Sequence, residues 1–314
     1  MTTQKAVIIT EPKKIGLVTD WPIPCLREDY ILVRTVSISL NPTDRKHIVF
    51  LSPSGVLVGC DYADIVEATG KDIKKLFKKG DRVCGFTHGA NSVQPEDGAF
   101  AEYIMAKGDL QMKIPDNISF QDTDTLDIGI NTVGQALYQS LKLALPTESR
   151  KETTPILVYN SSTETGTLAI QFAKISRYTT RNNLKLILDC ISLETSTKFC
   201  DKAILSKNKK YSTLLNIRIK CANVNNRFTL VYTTASEAFN FSNIHFPAKP
   251  EDQVYGKKFI IIAKLLLLEE KVKVHPSRVS KDDLKSVIER LQLLKENKIS
   301  RKKLVYNITK TPNI

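Results

Sequence analysis

Along the first third of the chain, short runs of branched and aromatic residues alternate with polar positions and stop at glycines. Residues 6–9, 30–40, 62–69, 82–86 and 99–106 predict strands. Gly59, Gly70, Gly80, Gly85 and Gly98 separate them. Lys79-Gly80-Asp81-Arg82-Val83 reads as a turn entering a strand, as in small β-barrels. The period changes near Leu126. Residues 133–143 are apolar at helical spacing, and 146–155 form a polar loop. Strands at 156–159, 184–191, 211–217 and 229–233 then alternate with helices at 168–176 and 195–204, a pattern that predicts an α/β unit with a parallel sheet. Helices over 255–268 and 282–294 and a strand over 303–308 complete the chain.

One junction carries chemistry. The strand 156–159 runs into Asn160-Ser161-Ser162-Thr163-Glu164-Thr165-Gly166 and then directly into a helix. Strand, tight polar turn and helix form the layout in which backbone N–H groups and a helix N-terminus hold a pyrophosphate. Only one glycine of the expected set, Gly166, remains. The next apolar strand begins eight residues after the helix ends. A complete nucleotide half would place two further strand–helix units there, about 20 residues each.

With 314 residues, 42% of them hydrophobic, the chain can build one large or two ordinary domains. Lys and Arg total 46 against 33 acidic residues, a net charge of +13. The cations are scattered in short groups without interleaved aromatics, so a solvated surface or attraction for an anionic cofactor is expected, and no specific nucleic acid. No stretch of eighteen apolar residues exists, which predicts no membrane span. The N-terminus enters a strand without a signal-peptide pattern, and a cytoplasmic location is expected. The six cysteines have no paired short spacing, which predicts free thiols rather than disulfides or a structural zinc.

A series of segments, in order, carries a resemblance. It runs through Asn41-Pro42-Thr43-Asp44, Val58-Gly59-Cys60-Asp61-Tyr62-Ala63, the segment at 79–86, Asp97-Gly98-Ala99-Phe100-Ala101-Glu102-Tyr103 and Thr132-Val133-Gly134-Gln135-Ala136-Leu137-Tyr138. It continues through the segment at 166–174, Phe246-Pro247-Ala248-Lys249-Pro250-Glu251-Asp252 and Lys303-Leu304-Val305-Tyr306. In this order they resemble the medium-chain dehydrogenase/reductase superfamily, in its zinc-free fungal trans-enoyl reductase-like and quinone oxidoreductase-like branch. The resemblance implies a GroES-like β-barrel domain from 1–128 and 272–314. It implies a truncated Rossmann-type, doubly wound parallel sheet domain over 129–271, lacking about two strand–helix units after Tyr178, with the active cleft where the domains meet.

The implied activity is NADPH-dependent reduction of an activated C=C bond in an enone or quinone, with hydride delivered to the β-carbon. Zinc members carry Cys and His ligands in the stretches that align with 41–46 and 59–61. Here Cys60 and His47 lack a further ligand, so no metal is expected. Without that Lewis acid, Thr43 and Lys46 are the candidates to polarise the substrate carbonyl, with Asn41 shaping the same wall and the cofactor site. The competing reading is a Pro-bracketed turn that satisfies its own backbone. Thr132 lies beside the nicotinamide by resemblance or caps a helix. Ser161, Ser162, Thr163, Thr165, Gly166 and Leu215 complete the implied cofactor contacts. His88 is a proton donor by type or a structural loop histidine.

Two departures weaken the implied cofactor site. Asn160 and Ser161 stand where related sequences have two glycines, and Glu164 stands where they have a small residue. A carboxylate within ~4 Å of a phosphate is repelled by roughly 1–4 kcal/mol per charge pair. After Tyr178, the chain has only five residues before Leu184, with Arg177 and Arg181 as the available phosphate contacts, and strain or disorder is expected over 177–184. NADPH binding is therefore expected to be weak or lost. The alternative function is a degenerate pseudoenzyme that keeps the fold to bind an intact homologue or a synthase. Homodimers would form through the sheet edge near 227–234.

Overall fold

A computed structural model describes residues 2–51, 53–148, 154–179, 184–204, 209–280, 283–295 and 301–308. The chain divides into two compact units. The first comprises Met1–Ile128, Tyr232–Lys257 and Val274–Ile314, and the second comprises Gly129–Val231 and Lys258–Lys273.

The first unit is built around the strand Tyr30–Ser39, whose two faces are largely buried. It pairs antiparallel with Asp61–Thr69 on one side. On the other, its first half pairs with Tyr103–Lys107 and its last three residues with Lys303–Asn307. Arg82–Phe86 and Met112–Lys113 extend the sheet beyond Asp61–Thr69, and Ser277–Val279 lies beyond Lys303–Asn307. A second sheet orders Lys14–Pro22, Thr3–Glu11 and Val56–Leu57. Ile31, Val33, Tyr62, Phe100, Ile104 and Tyr306 are wholly buried between them. Gly59 is required here: its φ is +96°, and a Cβ would lie 2.3 Å from the Phe100 ring.

The second unit carries five parallel strands in the order Tyr178–Thr179, Thr154–Tyr159, Leu186–Asp189, Lys209–Thr213 and Val224–Phe228. The helix Glu164–Ile175 buries Leu168, Ala169, Phe172 and Ala173. Phe172 packs against Phe259. Among the described residues no strand lies beyond Tyr178–Thr179. That two-residue strand covers only the start of Thr154–Tyr159, pairing Tyr178 with Thr154. Residues 156–159 thus form the edge on that side. Leu186–Asp189 pairs with the opposite side of the same strand, two strand spacings away. That displacement is about 10 Å, within the reach of six extended residues. Arg177 sits at φ 59°, a left-handed backbone that strains a residue with a side chain. Arg181 lies outside the described residues.

Several elements differ from the sequence pattern. The last parallel strand is Val224–Phe228, not 229–233; Val231–Ala235 is a 3₁₀ turn. Edge strands with one solvent-facing side tolerate polar runs such as Asn225-Asn226-Arg227, which hides them from a hydrophobic pattern. Of the expected dimer edge over 227–234, only Arg227 and Phe228 belong to a strand. Residues 99–102 lead into Tyr103–Lys107 as a loop held by backbone bonds to Val58 and Gly59. Residues 232–257, which the sequence groups with the cofactor domain, pack with the first unit. Tyr30 Oη donates to Glu237 at 2.7 Å, and Lys107 pairs with the same carboxylate.

Candidate functional site

In the first unit, the segment read as a turn is a helix, Pro42–Phe50. Proline suits its first turn because the N–H it lacks would have no partner there. The Asn41 N–H donates to the Asp44 carboxylate at 2.6 Å, fixing the helix start. The Asn41 side chain is committed elsewhere, donating to Asp61 at 2.8 Å. Asp61 is also ion-paired with buried Lys303 and accepts from the Ile128 N–H. Asp124 and Asp127 share this interior. Burial and the neighbouring Asp61 push Asp124 up to about 7, and the same causes raise Asp127 well above the carboxylate range.

Thr43 and Lys46 are three residues apart on this helix, so they lie on one face. Thr43 Oγ1 is 3.2 Å from His47 Nε2 and 3.4 Å from Tyr232 Oη. Tyr232 Oη is 3.2 Å from Cys60 Sγ. His47 Nδ1 lies 2.9 Å from the Gly89 carbonyl, which can only accept. Burial holds His47 down at about 4, so the ring is neutral and Nδ1 carries its one hydrogen. Nε2 must then accept, and the Thr43 hydroxyl donates to it. The result is a directed chain: Thr43 to His47 to Gly89 on one side, with Tyr232 and Cys60 on the other. Burial raises the Cys60 thiol well above its usual range, which keeps it a thiol. Lys46 makes no hydrogen bond or ion pair among the described residues. Burial and adjacent Arg45 lower its pKa, which makes it a readier proton donor.

Sequence reasoning missed Tyr232 as a partner of Thr43, and no local pattern marks it. His88 stacks on the Tyr232 ring, with centroids 4.0 Å apart and planes inclined by 13°. Among the described residues, no three His, Cys, Asp or Glu side chains are grouped to hold a metal ion.

The turn at 160–166 lies in the second unit. Thr163 caps the helix Glu164–Ile175, its hydroxyl accepting from the Gly166 N–H at 3.1 Å. Asn160 has φ 60°, a conformation that glycine adopts freely and asparagine tolerates better than most residues. Gly166 is obligatory: a Cβ there would lie 2.4 Å from the Asn160 carbonyl oxygen. Ser161 and Ser162 are exposed, and Thr165 is half-buried. Glu164 turns its carboxylate against Gly129, where an added Cβ would meet Oε1 at 2.2 Å. Leu215 is half-buried, two residues past the end of Lys209–Thr213. Thr132 stands in the last turn of Asp127–Val133, so it is not the N-cap considered from sequence.

The turn is a polar strand-to-helix connection that exposes the hydroxyl-bearing Ser161 and Ser162. Among the described residues the sheet ends on this side at the two-residue strand Tyr178–Thr179.

A family model for the alcohol dehydrogenase GroES-like domain matches residues 27–116. The trans-enoyl reductase TOXD of Cochliobolus carbonum is 48% identical over 295 residues, covering 82% of this chain and 99% of that protein. The trans-enoyl reductase resD of Aspergillus sclerotiorum is 36% identical over 356 residues, covering 97% and 100%. Among solved structures, the CurK enoyl reductase superposes with a TM-score of 0.72 at 12% identity, covering 97% of this chain and 99% of that one. The quinone oxidoreductase of Coxiella burnetii superposes with a TM-score of 0.70 at 19% identity, covering 98% and 100%. At those identities the structural likeness is one of fold.

Proposed function

Because this chain belongs to the trans-enoyl reductases of the medium-chain dehydrogenase/reductase superfamily, we propose that it is a zinc-independent oxidoreductase that reduces activated C=C bonds with NADPH, and that it holds this cofactor weakly. The observation that carries the reading is the Thr43 chain, with Lys46 one turn away on the same helix face. With the Thr43 hydrogen committed to His47, the Lys46 ammonium, which makes no hydrogen bond or ion pair among the described residues, is the donor a carbonyl needs when no Lewis acid polarises it. When bound, NADPH supplies the hydride. Lys46, with its lowered pKa, gives up a proton more readily than an ordinary lysine as enolate charge develops. Weak binding follows from the second unit. The turn keeps its cap and its obligatory glycine, but it carries Glu164 in the first helical turn, and among the described residues no strand end is present to receive the ribose.

The second reading, a pseudoenzyme that keeps the fold to bind a protein partner, is favoured by the same narrow sheet. Calorimetric titration with NADPH and NADH, followed by turnover of a simple enone, separates the two. Millimolar-range binding of NADPH with slow turnover supports the reductase. No heat at millimolar cofactor and no turnover would rule it out and leave the pseudoenzyme.

A further inference from the structure

The helix Pro250–Leu268 enters the second unit at Lys258, and over 259–268 its only polar residue is Lys264. One face of this stretch is used by the fold. Phe259, Ala263, Leu266 and Leu267 are buried, and Phe259 packs against Tyr138 and Phe172. The opposite face carries Ile261, Leu265 and Leu268, which are 55%, 50% and 48% exposed. A helix that is apolar on every side belongs inside a protein, whereas a surface helix keeps its outer face polar. Among the described residues, no helix is long and apolar enough to cross a membrane.

The spacing of the outer residues narrows what covers them. Lys258, Ile261, Leu265 and Leu268 follow one another by three, four and three residues, the rhythm of a seam that meets a second helix. At a rise of 1.5 Å per residue this seam is about 15 Å long. Its two ends differ in charge. Lys258 at the start is exposed and makes no ion pair among the described residues. Glu269 and Glu270 at the end are also exposed, and Glu269 pairs with Lys271 in a solvated bridge that is easily exchanged.

Laid antiparallel on a second copy of itself, the seam matches in both respects. Leu265 of each copy meets Ile261 of the other, twice by symmetry, and Lys258 lies over Leu268 with its ammonium beside Glu269 and Glu270. A parallel pair would set Lys258 against Lys258 and acid against acid. An anionic membrane would be repelled by the same two carboxylates. We infer that this outer face is a self-association surface, through which two copies of the chain pair antiparallel over 258–268. The surface is separate from the sheet edge near 227–234, and the inference is independent of the reductase reading. Four seam residues are few beside the ~1,600 Å² of a standard interface, so a Kd on the order of 10–100 μM is expected.

Sedimentation velocity of the full chain, from about 2 to 500 μM at physiological salt and without cofactor, tests it. A reversible monomer–dimer equilibrium is expected. Ile261→Glu combined with Leu265→Glu should weaken pairing at least about tenfold and leave the circular dichroism spectrum unchanged. Lys258→Glu alone should weaken it about fivefold, and adding Glu269→Lys and Glu270→Lys should restore it, because the two ends then exchange signs. A chain that stays monomeric throughout, a folded Ile261→Glu/Leu265→Glu protein that pairs as tightly as the native one, or a charge exchange that restores nothing would each overturn the inference. Flotation of the native chain with phosphatidylcholine–phosphatidylserine vesicles, lost in Ile261→Glu/Leu265→Glu, would overturn it by assigning the face to lipid. Should the variants fail to fold, hydrogen exchange of the native chain decides: amides over 258–268 should exchange several-fold more slowly at the highest concentration than at the lowest, and equal rates would defeat the pairing. Neither cofactor nor turnover enters these readouts, so their failure leaves the reductase reading untouched.

Discussion

Thr43 takes its orientation from a neighbour one helical turn away and from another 189 residues distant in sequence. Removing the distant one is the cleaner probe, because Tyr232→Phe keeps the ring that stacks on His88 and deletes only the hydroxyl. A loss of about tenfold in kcat on an enone is expected, with little change in melting temperature, measured by steady-state kinetics and thermal unfolding. The buried carboxyls make a second prediction. Asp124, raised by burial and Asp61 from 3.8 to about 7, binds its proton more tightly in the folded state. Its contribution to stability is complete below about pH 4 and is lost as pH rises through about 7. His47, lowered by burial from 6.5 to about 4, acts in the opposite sense. Its contribution is present above about pH 6.5 and is lost as pH falls through 4. The melting temperature of the native chain relative to that of Asp124→Asn should therefore fall between pH 4.5 and 7.5, since only the native chain loses the Asp124 contribution. A constant difference across that range would contradict the raised pKa.

At the scale of elements, the turn before Glu164–Ile175 retains what the fold requires and has changed what a phosphate would prefer. Thr163 still caps the helix, which is worth about 1 kcal/mol to most helices. Asn160 meets the left-handed backbone requirement with a residue that tolerates it. Gly166 has no such substitute. Gly166→Ala would force a methyl against the Asn160 carbonyl and should cost about 1–3 kcal/mol, read as a lower urea midpoint. Asn160→Gly, by contrast, should leave that midpoint nearly unchanged, because both residues accept φ near 60°. A Gly166→Ala protein as stable as the native one would mean that the turn is looser than its contacts indicate.

For the whole molecule, the consequential fact is the width of the second sheet. In a doubly wound fold the strands beyond the first one supply the ribose and 2′-phosphate contacts. Here, among the described residues, that side holds two paired residues, Tyr178 and Thr179. The cofactor's affinity should then owe almost nothing to its adenosine half. Reduced nicotinamide mononucleotide and NADPH are expected to bind within about threefold of one another, and 2′,5′-ADP should fail to displace either at millimolar concentration. Competition by micromolar 2′,5′-ADP would reveal an adenosine seat that the described residues do not contain. The net charge of +13 adds a nonspecific attraction for such anions, so the comparison belongs at physiological salt.

Local rules carried the sequence a long way. Period-two runs broken by glycine marked the strand-rich unit, and strand–helix alternation marked the parallel sheet, because each depends on residues within one or two turns of one another. The strand–turn–helix junction at 160–166 was readable for the same reason. The Pro42–Phe50 helix was also locally encoded, by proline at its first position and Asp44 three residues after Asn41, but its short polar face gave no hydrophobic period to follow. The edge strand Val224–Phe228 escaped because solvent asks little of an exposed side. No local rule could bring Tyr232 to Thr43 and Cys60, stack His88 on Tyr232, or tie Asn41 to Asp61 and Lys303. Those pairings join residues far apart in the chain, and burial decides them, since a polar group removed from water must find whichever partner the packed core brings within reach.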